Sequence, residues 1–119
     1  MYKVIVAGSR NFNDYDLLER EMINFLRGKY PKDVEIVSGT ARGADRLGER
    51  FATEKNCNIK YFPADWDRHG KSAGYIRNAE MAKYANACVV FWDGVSRGTK
   101  HMIDLAEKEG LDYKVIRFK

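Results

Sequence analysis

Proline is almost missing from this chain: only Pro31 and Pro63 occur in 119 residues. No Pro-, Gly- or Ser-rich linker interrupts it, no low-complexity segment is present, and nothing repeats with a period of about 20 residues or more. Cysteine is equally scarce. Cys57 and Cys88 lie far apart and lack metal-ligand spacing, so two reduced thiols are expected, not a disulfide framework or a zinc site. No apolar run approaches the ~18 residues of a membrane span, and MYKVIVAGSR reaches a glycine too early for a signal-peptide core. These absences predict a soluble cytoplasmic protein. Two phosphate-binding fingerprints are also missing. Neither G-x-x-x-x-G-K-[ST] nor G-x-G-x-x-G occurs, which leaves a motor-type NTPase and a standard dinucleotide dehydrogenase unsupported. Charge of one sign is not in large excess either: 21 basic against 17 acidic residues leave +4, and the charges are interspersed. That balance favours anionic ligands slightly and does not make a dedicated DNA-binding surface.

Hydrophobic residues make up 45% of the chain, enough for a core, and the length suits a single domain over residues 1–119. Five short apolar runs read as strands: YKVIVA (2–7), VEIVS (34–38), NIKYFP (58–63), ACVVFW (87–92) and YKVIRF (113–118). Several lack polar alternation, as expected of strands covered on both faces. Helical patterns separate them. The first is capped by Asp14 and runs to about Arg27, with Leu18, Met22, Phe25 and Leu26 on one stripe. The second spans about Ala44 to Lys55, with Leu47, Phe51 and Ala52 facing the sheet. The third covers about Ala73 to Tyr84, with Ile76, Ala79, Met81 and Ala85 inside or near the sheet. The fourth starts near Gly98-Thr99 and reaches about Lys108, burying Met102, Ile103, Leu105 and Ala106. This alternation predicts an α/β, Rossmann-like, doubly wound parallel sheet of five strands, order 3-2-1-4-5, with helices on both faces. A crevice should open beyond the carboxyl ends of strands one and four, where the strand order reverses.

The loops leaving the strand carboxyl ends read AGSRNFND (7–14), SGTARGAD (38–45), PADWDRHGKSAG (63–74) and WDGVSRGT (92–99). They hold seven of the ten glycines, together with Arg10, Arg42, Arg68, Arg97 and Lys71. Glycine admits close approach, helix-start N–H groups bind oxyanions, and arginines fork onto phosphate. Ser9, Ser38, Thr40, Ser96 and Thr99 add hydroxyls, while Trp66, Tyr75, Phe12 and Trp92 are candidates to stack on a base. Asp65, Asp67 and His69 read as a solvated loop, and no metal site is expected. Asp45, just inside a helix, ranks below the glycines as a contact, since it can serve the helix start alone. Exposed Tyr75 and Tyr84 hint at self-association.

The motifs GSRNFND, SGTARGAD, PADWDRHGKSAGYIRNAEM and GVSRGTKHMI, in that order, resemble the SLOG superfamily, named for the Smf/DprA and LOG proteins, and most nearly its YspA/YpsA-related branch. The resemblance implies a Rossmann-like domain that binds nucleotides or nucleotide-derived ligands, as a sensor or processor, in bacterial or phage systems. Carried over by position, Gly8, Ser9 and Arg10 match the first motif, and Ser38, Gly39, Gly43, Ala44 and Asp45 the second. Arg77, Asn78 and Met81 match the R-N-x-x-M helix, and Gly98 and Thr99 the last turn. All of these except Ala44 and Met81, together with Thr40, Trp66, Gly94 and Ser96, make the expected ligand-binding set. The phosphoribohydrolase branch carries G-G-x-G-T-x-x-E, whose glutamate supports glycosidic cleavage. Met102 stands at that position here, and a thioether cannot stabilise a cationic sugar. Arg77 is then the one catalytic candidate, with Asp65, Asp67, Asp93 and Asp104 as possible substitutes for the acid. The leading expectation is a small-molecule binding domain for a nucleotide or an ADP-ribose-like ligand, with no certain cofactor. The alternatives are an N-glycosidic-bond hydrolase of nucleotides and a DprA-like nucleic-acid module.

Overall fold

The computed structural model describes all of residues 1–119, and strands and helices alternate along it. Strands β1 (Tyr2–Gly8), β2 (Val34–Ser38), β3 (Asn58–Tyr61), β4 (Ala87–Trp92) and β5 (Asp112–Arg117) form one sheet, ordered β3-β2-β1-β4-β5, with every pairing parallel. The helices are α1 (Tyr15–Phe25), α2 (Ala44–Lys55), α3 (Trp66–His69), α4 (Ala73–Tyr84) and α5 (Arg97–Lys108). The predicted fold class and strand order hold.

The pleat sorts apolar residues onto two covered faces. Val4, Val6, Val89 and Phe91 join Leu18, Met22, Phe51 and Ala52 of α1 and α2. Ile5, Ala7, Cys88 and Val90 join Met81, Ala82, Met102 and Ala106 of α4 and α5. Both sides of the central strands are therefore dry, which is why they read as continuous apolar runs. Helix α1 starts at the predicted cap. Asp14 Oδ1 accepts the Leu17 N–H at 3.1 Å, a bond that contributes about 1 kcal/mol. Cys88 is buried within β4 and Cys57 is half-buried; both are free thiols. No helix is long and apolar enough to cross a membrane.

Five details differ from the sequence expectation. Strand β3 stops at Tyr61; Phe62 makes one more backbone bond, to the Ser38 carbonyl at 2.8 Å, and Pro63 has no N–H with which to continue. The loop before α4 is not featureless, because Asp65 Oδ1 accepts the Arg68 N–H at 3.1 Å and starts α3. Ile76, expected inside, is exposed, because the inward stripe of α4 runs through Ala73, Arg77 and Met81, with Asn78 and Ala82 beside it. The residue type misleads here: the inner face of the first half of α4 is polar. Phe12, a stacking candidate by sequence, belongs to the core, 4.7 Å from the Phe91 ring and 4.7 Å from the Phe118 ring. The turn after β1 folds it back, with the Phe12 N–H donating to the Ser9 carbonyl at 3.1 Å. Tyr84 is half-buried, its hydroxyl donating to the Glu35 carboxylate and its ring lying under Lys3.

Candidate functional site

The strand order puts β1 between β2 and β4, and the loops leaving β1 and β4 diverge to opposite faces. A cavity of about 500 Å³ opens there, within the ~300–1,000 Å³ usual for small-molecule sites. All four carboxyl-end loops line it. The first contributes Gly8, Ser9, Arg10 and Asn11, and the second Ala41 and Asp45. From the third and α4 come Trp66, Lys71, Gly74, Tyr75, Arg77, Asn78 and Met81, and from the fourth and α5 come Asp93, Ser96, Gly98, Thr99 and Met102.

Ten of the expected contacts thus meet at one cavity: Gly8, Ser9, Arg10, Asp45, Trp66, Arg77, Asn78, Ser96, Gly98 and Thr99. Five do not line it. Ser38 is fully buried, donating to Glu49 Oε2 at 2.6 Å and accepting the Thr40 N–H at 3.0 Å, so it holds the loop. Gly39 and Thr40 line a shallower depression next door. Gly94 lies against the Arg117 guanidinium. Gly43 was expected to admit a ligand, but its missing side chain makes room for the protein's own backbone. A Cβ there would run into the Ser9 carbonyl oxygen and stand 2.7 Å from the Arg10 carbonyl, and its φ is +78°. Trp92 is also no stacking platform. It is half-buried against the core, donates Nε1–H to the Ser96 carbonyl at 3.1 Å, and lies under Arg117.

Burial of charge organises the floor. Arg77 is buried, donating Nη1–H to the Gly39 carbonyl and Nε–H to Asn78 Oδ1 at 2.9 Å. Asn78 Nδ2 in turn reaches the Gly98 carbonyl at 3.5 Å, so one polar chain ties the β2 loop, α4 and the start of α5. Asp45 accepts the Ala41 N–H at 3.2 Å and is buried beside Arg77. Gly39 makes this possible, since a Cβ would stand 2.8 Å from Asp45 Oδ2 and 2.9 Å from Arg77 Nη1. Asp45 therefore outranks its sequence placing: it is part of the cavity floor as well as of a helix start. Burial pushes its carboxyl up to about 6, against the opposing pull of the Ala41 N–H and the Arg77 charge. Burial also lowers the Arg77 guanidinium from its ordinary value, against the pull of Asp45.

Asp93 behaves in the opposite way. It accepts from the Ser96 N–H at 2.8 Å, the Val95 N–H at 2.9 Å and the Ser96 hydroxyl at 2.7 Å, which hold its carboxyl down at about 2. Its own N–H donates to Ser9 Oγ at 3.1 Å, joining the β1 and β4 loops. Of the four carboxylates considered as substitutes for the missing glutamate, only Asp93 lines the cavity. Asp65 caps α3 and Asp104 pairs with Lys100. Asn11 and Ala41 were not foreseen as lining residues; no residue-type signal marks an alanine, and Asn11 could be found only by following the GSR turn one residue further.

The buried carboxyl makes stability depend on pH. The folded state holds the Asp45 proton more tightly than the unfolded chain, so stability should fall as pH rises between about 4 and about 6. The gap from the ordinary 3.8 to about 6 corresponds to about 3 kcal/mol at about 1.4 kcal/mol per pH unit. Asp45→Asn should flatten this window, and urea midpoints at pH 4.5 and 7 measure it; an unchanged slope in the variant contradicts the assignment.

A parallel doubly wound sheet with its cavity at the carboxyl rim defines a Rossmann-like α/β domain. The model of the YspA, cpYpsA-related SLOG family matches residues 2–69, and the Gene 61 protein of Mycobacterium phage D29 is 35% identical over 117 residues, covering 93% of each chain. The chain belongs to this YspA, cpYpsA-related SLOG family. Two solved structures share the fold. DNA processing protein A of Streptococcus pneumoniae superposes with a TM-score of 0.72 at 19% identity, over 100% of this chain and 51% of its own. That of Helicobacter pylori gives 0.71 at 20% identity, over 99% of this chain and 66% of its own, and is described by its mode of binding single-stranded DNA. This chain spans about half to two thirds of those proteins' lengths.

Proposed function

We propose that the rim cavity binds a nucleotide or nucleotide-derived ligand, as a ligand-binding or sensing domain. One observation carries this reading. The N–H groups of Arg97, Gly98 and Thr99 begin a 12-residue helix with no side-chain cap and no acidic residue in its first turn, and they take no protein acceptor. Gly98 and Thr99 line the same cavity as Arg10, Lys71 and Arg77. Free helix-start amides beside Arg10 and Lys71, neither of which forms an ion pair, suit a phosphate. Trp66 and Tyr75, both about half exposed, border the cavity where a base can stack.

The hydrolase reading draws on Asp45, the buried carboxyl that the α5 turn lacks, but Met102 lines the cavity at the position of the family's glutamate. One experiment separates the readings. Calorimetry against nucleoside monophosphates should show binding, and Arg10→Ala should weaken it about 10-fold, the value of one charge-assisted hydrogen bond. Arg10 is exposed and takes part in no ion pair, so the variant should fold. Absence of heat across the nucleotides removes the binding reading. Free base found by chromatography of the same mixtures moves the assignment to hydrolysis.

A further inference from the structure

The cavity does not end at its own wall. A second depression of about 360 Å³ adjoins it over the end of β2, and Arg10, Ala41, Trp66 and Arg77 line both. Its remaining border is Gly39, Thr40, Arg42 and Ala64. The chemistry of the two parts differs. The deep cavity carries two carboxylates, Asp45 and Asp93, among its cations, whereas the depression carries three guanidinium groups and no acid. Arg10 and Arg42 are exposed, pair with no carboxylate and donate no side-chain hydrogen bond within the protein. Trp66, 51% exposed, stands where the two parts meet. The loop carrying Arg42 is also held in place. Thr40 adopts φ +64°, rare for a β-branched residue, with its N–H bonded to the buried Ser38 hydroxyl.

We propose that the ligand has two parts joined through a pyrophosphate, a nucleoside diphosphate bearing a second sugar or nucleotide unit, and that Arg42 and Trp66 receive the second part on this shelf. The inference rests on the proposed nucleotide site and names its ligand class. A monophosphate in the deep cavity leaves Arg42, the one shelf arginine outside that cavity, unmatched. A second phosphate beside the first puts its charge on the depression that the exposed, unpaired Arg10 and Arg42 border, and bidentate arginine contacts suit it. The unit beyond it lies against the Trp66 ring.

The test is calorimetry with two matched pairs, AMP against ADP-ribose and GMP against GDP-mannose, on the wild type and on Arg42→Ala. Arg42 is exposed and lines only the shelf, so its removal leaves the fold and the deep cavity intact. At least one extended ligand should bind about 10-fold or more tighter than its monophosphate, and Arg42→Ala should erase that gain while changing monophosphate binding less than about 2-fold. Trp66 fluorescence should respond to the extended ligand in both forms. Monophosphate binding without any gain for either extended ligand overturns the shelf and leaves the nucleotide site standing. Arg42→Ala weakening both members of a pair equally also overturns it. No binding of any of the four ligands removes both proposals. A single-stranded oligothymidine that binds in an Arg42-dependent way, where the pyrophosphate ligands do not, assigns the shelf to nucleic acid and overturns the proposal.

Discussion

Gly43→Ala is expected to destabilise this domain by roughly 3 kcal/mol or more, lowering the melting temperature by on the order of 10 °C. Two costs combine. A side chain at φ +78° meets the left-handed penalty, about 1–2 kcal/mol. The added methyl also drives into the Ser9 carbonyl and the Arg10 backbone, and overpacking of this kind costs about 1–3 kcal/mol. Neither clash can be relieved by rotating a side chain, since the opposing atoms are backbone. The β1 and β2 loops meet at this point, so ligand binding should fail along with stability. Denaturant midpoints and a thermal melt measure the effect. A variant within about 0.5 kcal/mol of wild type contradicts the described contact.

Arg77→Ala should be comparably severe at neutral pH, costing about 3–5 kcal/mol, as expected when one member of a buried charged pair is removed. The change strips a donor from the Gly39 carbonyl and from Asn78 Oδ1, and leaves Asp45 with no nearby positive charge. The loss should depend on pH in a defined direction. Below the folded value of about 6 Asp45 is neutral and needs no counter-charge, so the deficit shrinks as pH falls to 5 and grows as pH rises to 7. Arg77→Lys should recover part of the stability and little of the loop geometry. It restores charge, but an ammonium cannot reproduce the planar fork that reaches Gly39 and Asn78 together. Urea midpoints of the three proteins at pH 5 and 7 decide the matter, and a deficit independent of pH contradicts the role given to Asp45.

These two residues also show where reading the chain succeeds and where it stops. The R-N pair on the third helical stretch and the two glycines of SGTARGAD stand out by residue type, and their neighbourhood on the carboxyl rim follows from strand alternation. Their tasks do not. Gly39 and Gly43 invite the idea of a ligand approaching backbone, yet one clears space for a carboxylate and a guanidinium and the other for a neighbouring loop. Ser38 looks like a phosphate hydroxyl and instead holds the loop from beneath. Phe12 and Trp92 have the right rings and the wrong surroundings.

The division has a physical origin. Fold class, strand order and most element boundaries depend on hydrophobic period, caps and breakers, which act over a few residues and are written locally: Val34–Ser38, Ala44–Lys55, Ala73–Tyr84 and Ala87–Trp92 fall where the chain's pattern puts them. The membership of the cavity depends on which loops touch after the sheet has closed, across separations of up to 84 residues in the Ser9–Asp93 bond. Desolvation then assigns the chemistry. Asp45 and Asp93 are the same residue type, one in the first turn of α2 and the other in the loop that leads into α5. Burial raises one carboxyl to about 6, and three donors hold the other at about 2. The donors on Asp93 lie two and three residues along the chain, in DGVS, and are written locally, whereas the burial of Asp45 comes from packing that its flanking residues do not announce.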